Sequence, residues 1–522
     1  MKFKRLVLAV LTLVAILLSG SALWESWQQP QFQNRLELYQ TNIILQAALW
    51  EPPDNNENFK AAREAILGDK PLENATQQYQ QARNSVQTNL DKAKNQLAKL
   101  NSAPITTPTT PQPQPEIPPA TNASRLLQQQ QLQQQQDKLE KSLAELDLQL
   151  GILQAKQQKT DTAIKTWSQL QQSQIDPELV TTADVLIGLW SSPQQILPNA
   201  EPTIQEHLEG WFRYTALSQL YQLQQRQAVL SNLKATQQEV AEKALLKLAV
   251  ISTVPALGVF IGVGLLIFLV AQRVWKGKAA LLAQNGDMRW STPWGGETVL
   301  QVFVVGFFLM GQLLIPLVIS VLPIPRPAAN VRIQAFYVLI SYLLVASSAL
   351  LVLYISLKRF FPLPENWFRF NLRDNWFLWG FGGYCVALPI VVVVSLINQQ
   401  LWQGQGGSNP LLQLALEGQD VVALSIFFFT AAIAAPLFEE FLFRGFLLPS
   451  LTRYLSVWGS ILVSSLLFAV AHLSLSEILP LTALGMVLGI VYTRSRNLLA
   501  PMLLHSLWNS GTLLSLFILG SN

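Results

Sequence analysis

The chain has 522 residues, 50% of them hydrophobic and only 13% charged, with one cysteine and a formal net charge of +4. It is too apolar for an average water-soluble protein and too weakly charged for a nucleic-acid surface, and a lone thiol excludes an intramolecular disulfide. The length accommodates two or more domains.

Lys2, Lys4 and Arg5 precede an apolar run from Leu6 to Trp24. Small residues at Ser19–Ala22 would suit a cleaved signal peptide, but the run is long enough to cross a bilayer. Residues 1–24 are therefore expected to form a signal anchor and first transmembrane span. Residues 25–245 are rich in Gln, Ala and Leu, almost free of strand signals, and expected to be an exported helical domain. Within it a linker dense in Pro and Thr, 104–119, marks a subdomain boundary. Leu150, Gly151, Ala163, Trp167 and Pro177 fall near the positions where a tetratricopeptide repeat puts its Leu-Gly, small, aromatic and proline residues. The domain is read as tetratricopeptide-like or an irregular helical hairpin, with a protein partner as its ligand. His207 is expected to be solvated.

From Leu248 apolar spans come in series, three in residues 246–375 and the rest in 376–522. The fold class is all-α, a polytopic membrane bundle of about nine spans. Basic clusters at Lys2–Arg5, Arg273–Lys278, Lys358–Arg373, Arg444–Arg453 and Arg494–Arg496 fall on alternate connections. By the positive-inside rule the N-terminus is cytoplasmic, and the exported domain and C-terminus lie outside; only Arg326 and Arg332 are on the wrong side. The expected location is a bacterial-type inner or internal membrane, with a multi-pass chain.

Of three histidines, two lie in the last apolar segments, near a pair of acids. Glu439, Glu440 and Arg444 sit in the run 436–444, His472 four residues after Phe468, and His505 and Asn509 in the final run. Ionisable groups inside a membrane segment are costly and mark function. Glu440 and Arg444, four apart with the acid first, are spaced for an ion pair, so Arg444 is read as a structural partner that leaves Glu439 the free carboxylate. His505 and Asn509 share a face of the last helix. At 1.5 Å per residue Glu439, His472 and Asn509 all lie roughly 20 Å from the cytoplasmic turns, with His505 one turn nearer.

These groups suit water-driven acyl transfer. Glu439 takes a proton from water, His472 helps orient or deprotonate it, and His505 with Asn509 stabilises the oxyanion. Glu439, His472 and His505 are equally suited to hold a divalent metal such as zinc with one position open for water, and the residues alone do not choose. No Ser or Cys stands in a nucleophile setting, and there is no His-Glu-x-x-His. A catalytically silent scaffold that recruits partners through its helical domain is a second class of reading. A transporter is a third, but it lacks the broken, paired segments it would need.

Glu439-Glu440-x-x-x-Arg444, Phe468-x-x-x-His472 and His505-x-x-x-Asn509, in this order on successive apolar segments, resemble the motifs of the CPBP intramembrane protease family. That family comprises type II CAAX prenyl endopeptidases and bacterial abortive-infection relatives. The resemblance covers about Trp376 to the C-terminus. It implies a membrane core of the eight-helix type and a hydrolase acting on a peptide or membrane-protein substrate. Glu439, beside Glu440 and with His472, would activate water, and His505 and Asn509 would form the oxyanion site. It also implies the label metalloprotease, while the large exported helical domain is foreign to the family core.

Overall fold

Runs of apolar residues without interior breakers become helices, and helices carry nearly all of this chain. The computed structural model describes residues 2–27, 32–51, 57–102, 120–171, 176–321, 330–402, 405–417 and 420–521, and among them there is no strand. The Pro-rich linker 104–119 and Arg326 lie outside the described residues. The chain forms two compact units, residues 34–249, and residues 1–33 with 250–522.

Residues 34–249 form a helical array whose core includes Leu148, Ile152, Trp167, Leu186 and Phe212. Helices Ala120–Lys156 and Thr160–Gln171 make a hairpin in which Trp167 lies directly over Gly151. A Cβ at Gly151 would come within 2.2 Å of the indole, so only glycine allows this contact. The indole N–H donates to the Leu148 carbonyl at 3.1 Å. The next helix, Pro177–Trp190, starts on Pro177 with Asp176 capping the Glu178 N–H, a combination that satisfies a helix N-terminus. Arg83 and Asp147 form a largely buried ion pair between Pro71–Ser102 and Ala120–Lys156. His207, the last residue of the short helix Ala200–His207, is half-buried.

Among the described residues, eight helices that lie in or run into the other unit are long and apolar enough to cross a membrane, beginning with Phe3–Trp27 and ending with Leu499–Gly520. The remaining expected span is the 14-residue helix Val457–Val470. At roughly 21 Å it is shorter than the ~30 Å hydrocarbon layer. It stops early because the chain turns at Ala471–His472 and Leu473 takes a left-handed conformation. Outward-facing positions such as Phe260 and Val274 are exposed and apolar, as a lipid-facing surface requires.

Connections at one end of this unit interlock. Arg453 donates to the carbonyls of Thr292 and Trp294, Asn285 to that of Arg494, Arg496 to that of Met288, and the Leu498 N–H to that of Arg369. Trp290, Trp294 and Trp367 are buried there, and Lys4 and Arg5 pair with Glu297 at the start of Gly296–Val321. The loops rich in arginine thus share one face. At the opposite end Ser26 donates to the Gly406 carbonyl at 2.5 Å and accepts the Leu475 N–H at 3.1 Å. Arg332, whose charge runs against the rule, is paired with Asp420 at 2.7 Å.

Candidate active site

The span Val421–Leu451 carries the two carboxylates. Its backbone widens into π-helical turns at Phe429–Ala434 and Phe441–Leu447, on either side of the α-helical segment Ala435–Glu440. Pro436 explains part of this. The Ala435 N–H reaches back five residues to the Thr430 carbonyl, and the next residue in that register, Pro436, has no N–H to offer Ala431. A carbonyl left without a donor inside a membrane protein has to be satisfied by a side chain. Asn509 Nδ2 donates to Ala431 O at 2.7 Å, and Ser506 Oγ to Ala432 O at 2.6 Å. The final helix is thereby fastened to the carboxylate-bearing span.

One turn earlier on the final helix, His505 meets both acids. Its Nδ1–H donates to Glu440 Oε1 at 2.9 Å, the same oxygen that accepts from Arg444 Nη1 at 2.8 Å. Glu440 and Arg444 are fully buried. Arg444 also lies over the Phe468 ring at 4.5 Å and donates from Nη2 to the Gly485 carbonyl at 3.2 Å. A Cβ at Gly485 would come within 2.9 Å of Ser465. Glycine therefore lets Val457–Val470 and Ile478–Ser495 close up and deliver that carbonyl.

With Nδ1–H committed to Glu440, Nε2 is the ring nitrogen left for other partners. Nε2 faces Glu439 Oε2 at 4.0 Å. That separation is beyond a direct hydrogen bond but lets one water molecule bond to both atoms. Glu439 Oε2 is buried without a protein hydrogen-bond partner, whereas Oε1 accepts from the Tyr342 hydroxyl at 3.4 Å. His472 completes the surroundings. Its Nδ1–H donates to the Phe468 carbonyl at 2.8 Å, which leaves Nε2 for other partners. The Phe468 ring stands edge-on to both imidazoles, 5.0 Å from His472 and 5.7 Å from His505.

The structure thus brings Glu439, Glu440, Arg444 and His505 into direct relation and sets His472 across Phe468 from His505. Asn509 lies one turn beyond His505 on the same helix. It turns to the backbone at Ala431 because Pro436 leaves that carbonyl open, and its amide keeps a second N–H. Among the described residues no group of three His, Cys, Asp or Glu side chains is placed to hold a metal ion, and His505 turns one nitrogen to each carboxylate. Tyr342, Ser506 and the Gly485 carbonyl were not legible as site groups in the sequence. Pro436, three residues before Glu439, was the one visible sign that a carbonyl nearby would need a side-chain donor.

Residues 421–511, which contain all seven motif residues, match the family model described as type II CAAX prenyl endopeptidase Rce1-like. The membrane-embedded CAAX protease MroQ of Staphylococcus aureus (strain USA300) is 24% identical over 215 residues, 40% of this chain and 85% of that protein. The putative membrane peptidase YdiL of Bacillus subtilis (strain 168) is 25% identical over 151 residues, 28% of this chain and 61% of YdiL. An uncharacterized 24.3 kDa protein of Escherichia coli is 34% identical over 103 residues, 19% of this chain and 48% of that protein. No solved structure matches the chain. The likeness to CPBP proteases carried by the three motifs is borne out by the family match and these relatives.

Proposed function

We propose that this protein is an intramembrane endopeptidase in which Glu439 activates water for attack on a peptide bond within the bilayer. The observation that carries this reading is that Glu439 Oε2 is buried without a protein hydrogen-bond partner and faces His505 Nε2 at 4.0 Å. A water bonded to both atoms gives a proton to Glu439 Oε2 as its oxygen attacks the substrate carbonyl carbon. The tetrahedral intermediate then collapses as Glu439 returns the proton to the leaving amine, giving one carboxylic acid and one amine. Glu440, clamped by Arg444, holds the His505 Nδ1–H and keeps Nε2 aimed at the water. The second N–H of Asn509 and the His472 imidazole are the candidates for the developing oxyanion and for steering water, respectively. No step in this reading uses a metal.

The interlocked arginine-rich loops support a cytoplasmic placement for that end of the bundle, and the same charge rule makes residues 25–245 an exported domain. A domain so placed acts by recruiting a protein partner or a membrane-protein substrate rather than by contributing to the chemistry. Comparing the membrane peptides of cells that carry the wild-type chain with those of cells carrying Glu439→Gln tests the reading. Fragments present only with the wild-type would identify substrates; identical peptide populations from two equally abundant proteins would favour the silent scaffold.

A further inference from the structure

We propose that Tyr342, which belongs to none of the three motifs, is a positioning residue that selects Oε2 of Glu439 as the base. The inference rests on the reading of Glu439 given above. Tyr342 sits within the helix Val331–Leu357, and its hydroxyl donates to Glu439 Oε1 at 3.4 Å. Its ring stands edge-on to Phe438, with centroids 6.1 Å apart and an interplanar angle of 86°. One side chain therefore packs on residue 438 and bonds to residue 439, so the direction of its hydroxyl is set by packing.

The other groups around Glu439 leave this task to Tyr342. Arg444 commits Nη1 to Glu440 and Nη2 to the Gly485 carbonyl. Glu440 points at Arg444 and His505. His505 lies opposite Oε2, at 4.0 Å, and Oε2 has no protein partner. The terminal torsion of a glutamate is broad and two-fold, so a carboxylate without a donor would exchange its two oxygens. A phenol donating to Oε1 holds the carboxylate plane, and Oε2 then stays opposite the imidazole. Reaction geometry of this kind acts on turnover rather than on ground-state binding.

The test uses the full-length protein in detergent and a quenched fluorescent peptide that the wild-type cleaves. Tyr342→Phe keeps the ring and removes the donor; Tyr342→Met fills the space without an aromatic ring. For either variant that retains the wild-type thermal midpoint, kcat is expected to fall about tenfold with KM within about twofold. A folded variant with wild-type kcat overturns the proposal. So does a raised KM with unchanged kcat, which would place the hydroxyl on substrate instead. Glu439→Gln is measured in parallel: if it cleaves normally the base assignment itself fails, whereas an inactive Glu439→Gln beside a fully active Tyr342→Phe sinks only the role of Tyr342.

Discussion

Asn509 donates to the carbonyl of Ala431 at 2.7 Å, the acceptor that Pro436 cannot serve in the five-residue register of the preceding turn. The carboxylate-bearing span and the last helix are joined at the point where the backbone of the former is incomplete. A polar group unsatisfied in the bilayer costs free energy that water cannot relieve, so this bond belongs to stability as well as to the site. Asn509→Leu should lower the thermal midpoint in detergent. Restoring a backbone N–H with Pro436→Ala should reduce that loss, giving a coupling of about 1 kcal/mol in a double-mutant cycle. Strict additivity of the two changes would show that the proline and the amide are unrelated.

Glu439→Gln keeps the size of the side chain and removes its basicity. Turnover should drop by about 10² to 10⁴, the usual contribution of a general base, while the protein inserts and accumulates normally. Peptide cleavage at a near-normal rate by the purified variant would remove Glu439 from the chemistry.

Arg444 is buried with Glu440 and the pair is linked to His505. Arg444→Ala leaves an uncompensated carboxylate inside the bundle, and breaking such a pair typically costs about 3–5 kcal/mol. The expected outcome is a large fall in the fraction folded in detergent, with a smaller change in the specific activity of what remains. A variant that is fully stable yet inactive would mean that the guanidinium acts on substrate.

The arrangement of basic loops makes a prediction about sidedness. A cysteine placed at Ser102 should react with an impermeant thiol reagent from the side opposite the cytoplasm. Removing residues 34–226 while keeping Ser26, which holds the Gly406 loop, should preserve cleavage of a small peptide and impair that of the native target. Labelling of the Ser102 cysteine only after the cytoplasmic face is opened would reverse the topology and the division of labour drawn from it.

Hydropathy alone determines that this chain is a multi-pass helical membrane protein, and residue order gives its likeness to CPBP proteases. A run of about 20 apolar residues has few ways to satisfy its backbone other than a helix across the bilayer. Acids and imidazoles at that depth are too costly to be incidental. What a linear reading at 3.6 residues per turn misses is where the side chains end up. The π-helical turns on both sides of Ala435–Glu440 change the angular register along the span, and the length of Val457–Val470 is decided by the turn that presents His472. The choice between the two oxygens of Glu439, the diversion of Asn509 to the backbone and the arrival of Tyr342 are decided by the tertiary structure. Each depends on contacts between helices whose residues lie far apart in the chain, 97 positions for Tyr342 and Glu439 and 78 for Asn509 and Ala431. No local pattern encodes such a distance, because the energy that selects it comes from packing one helix against another.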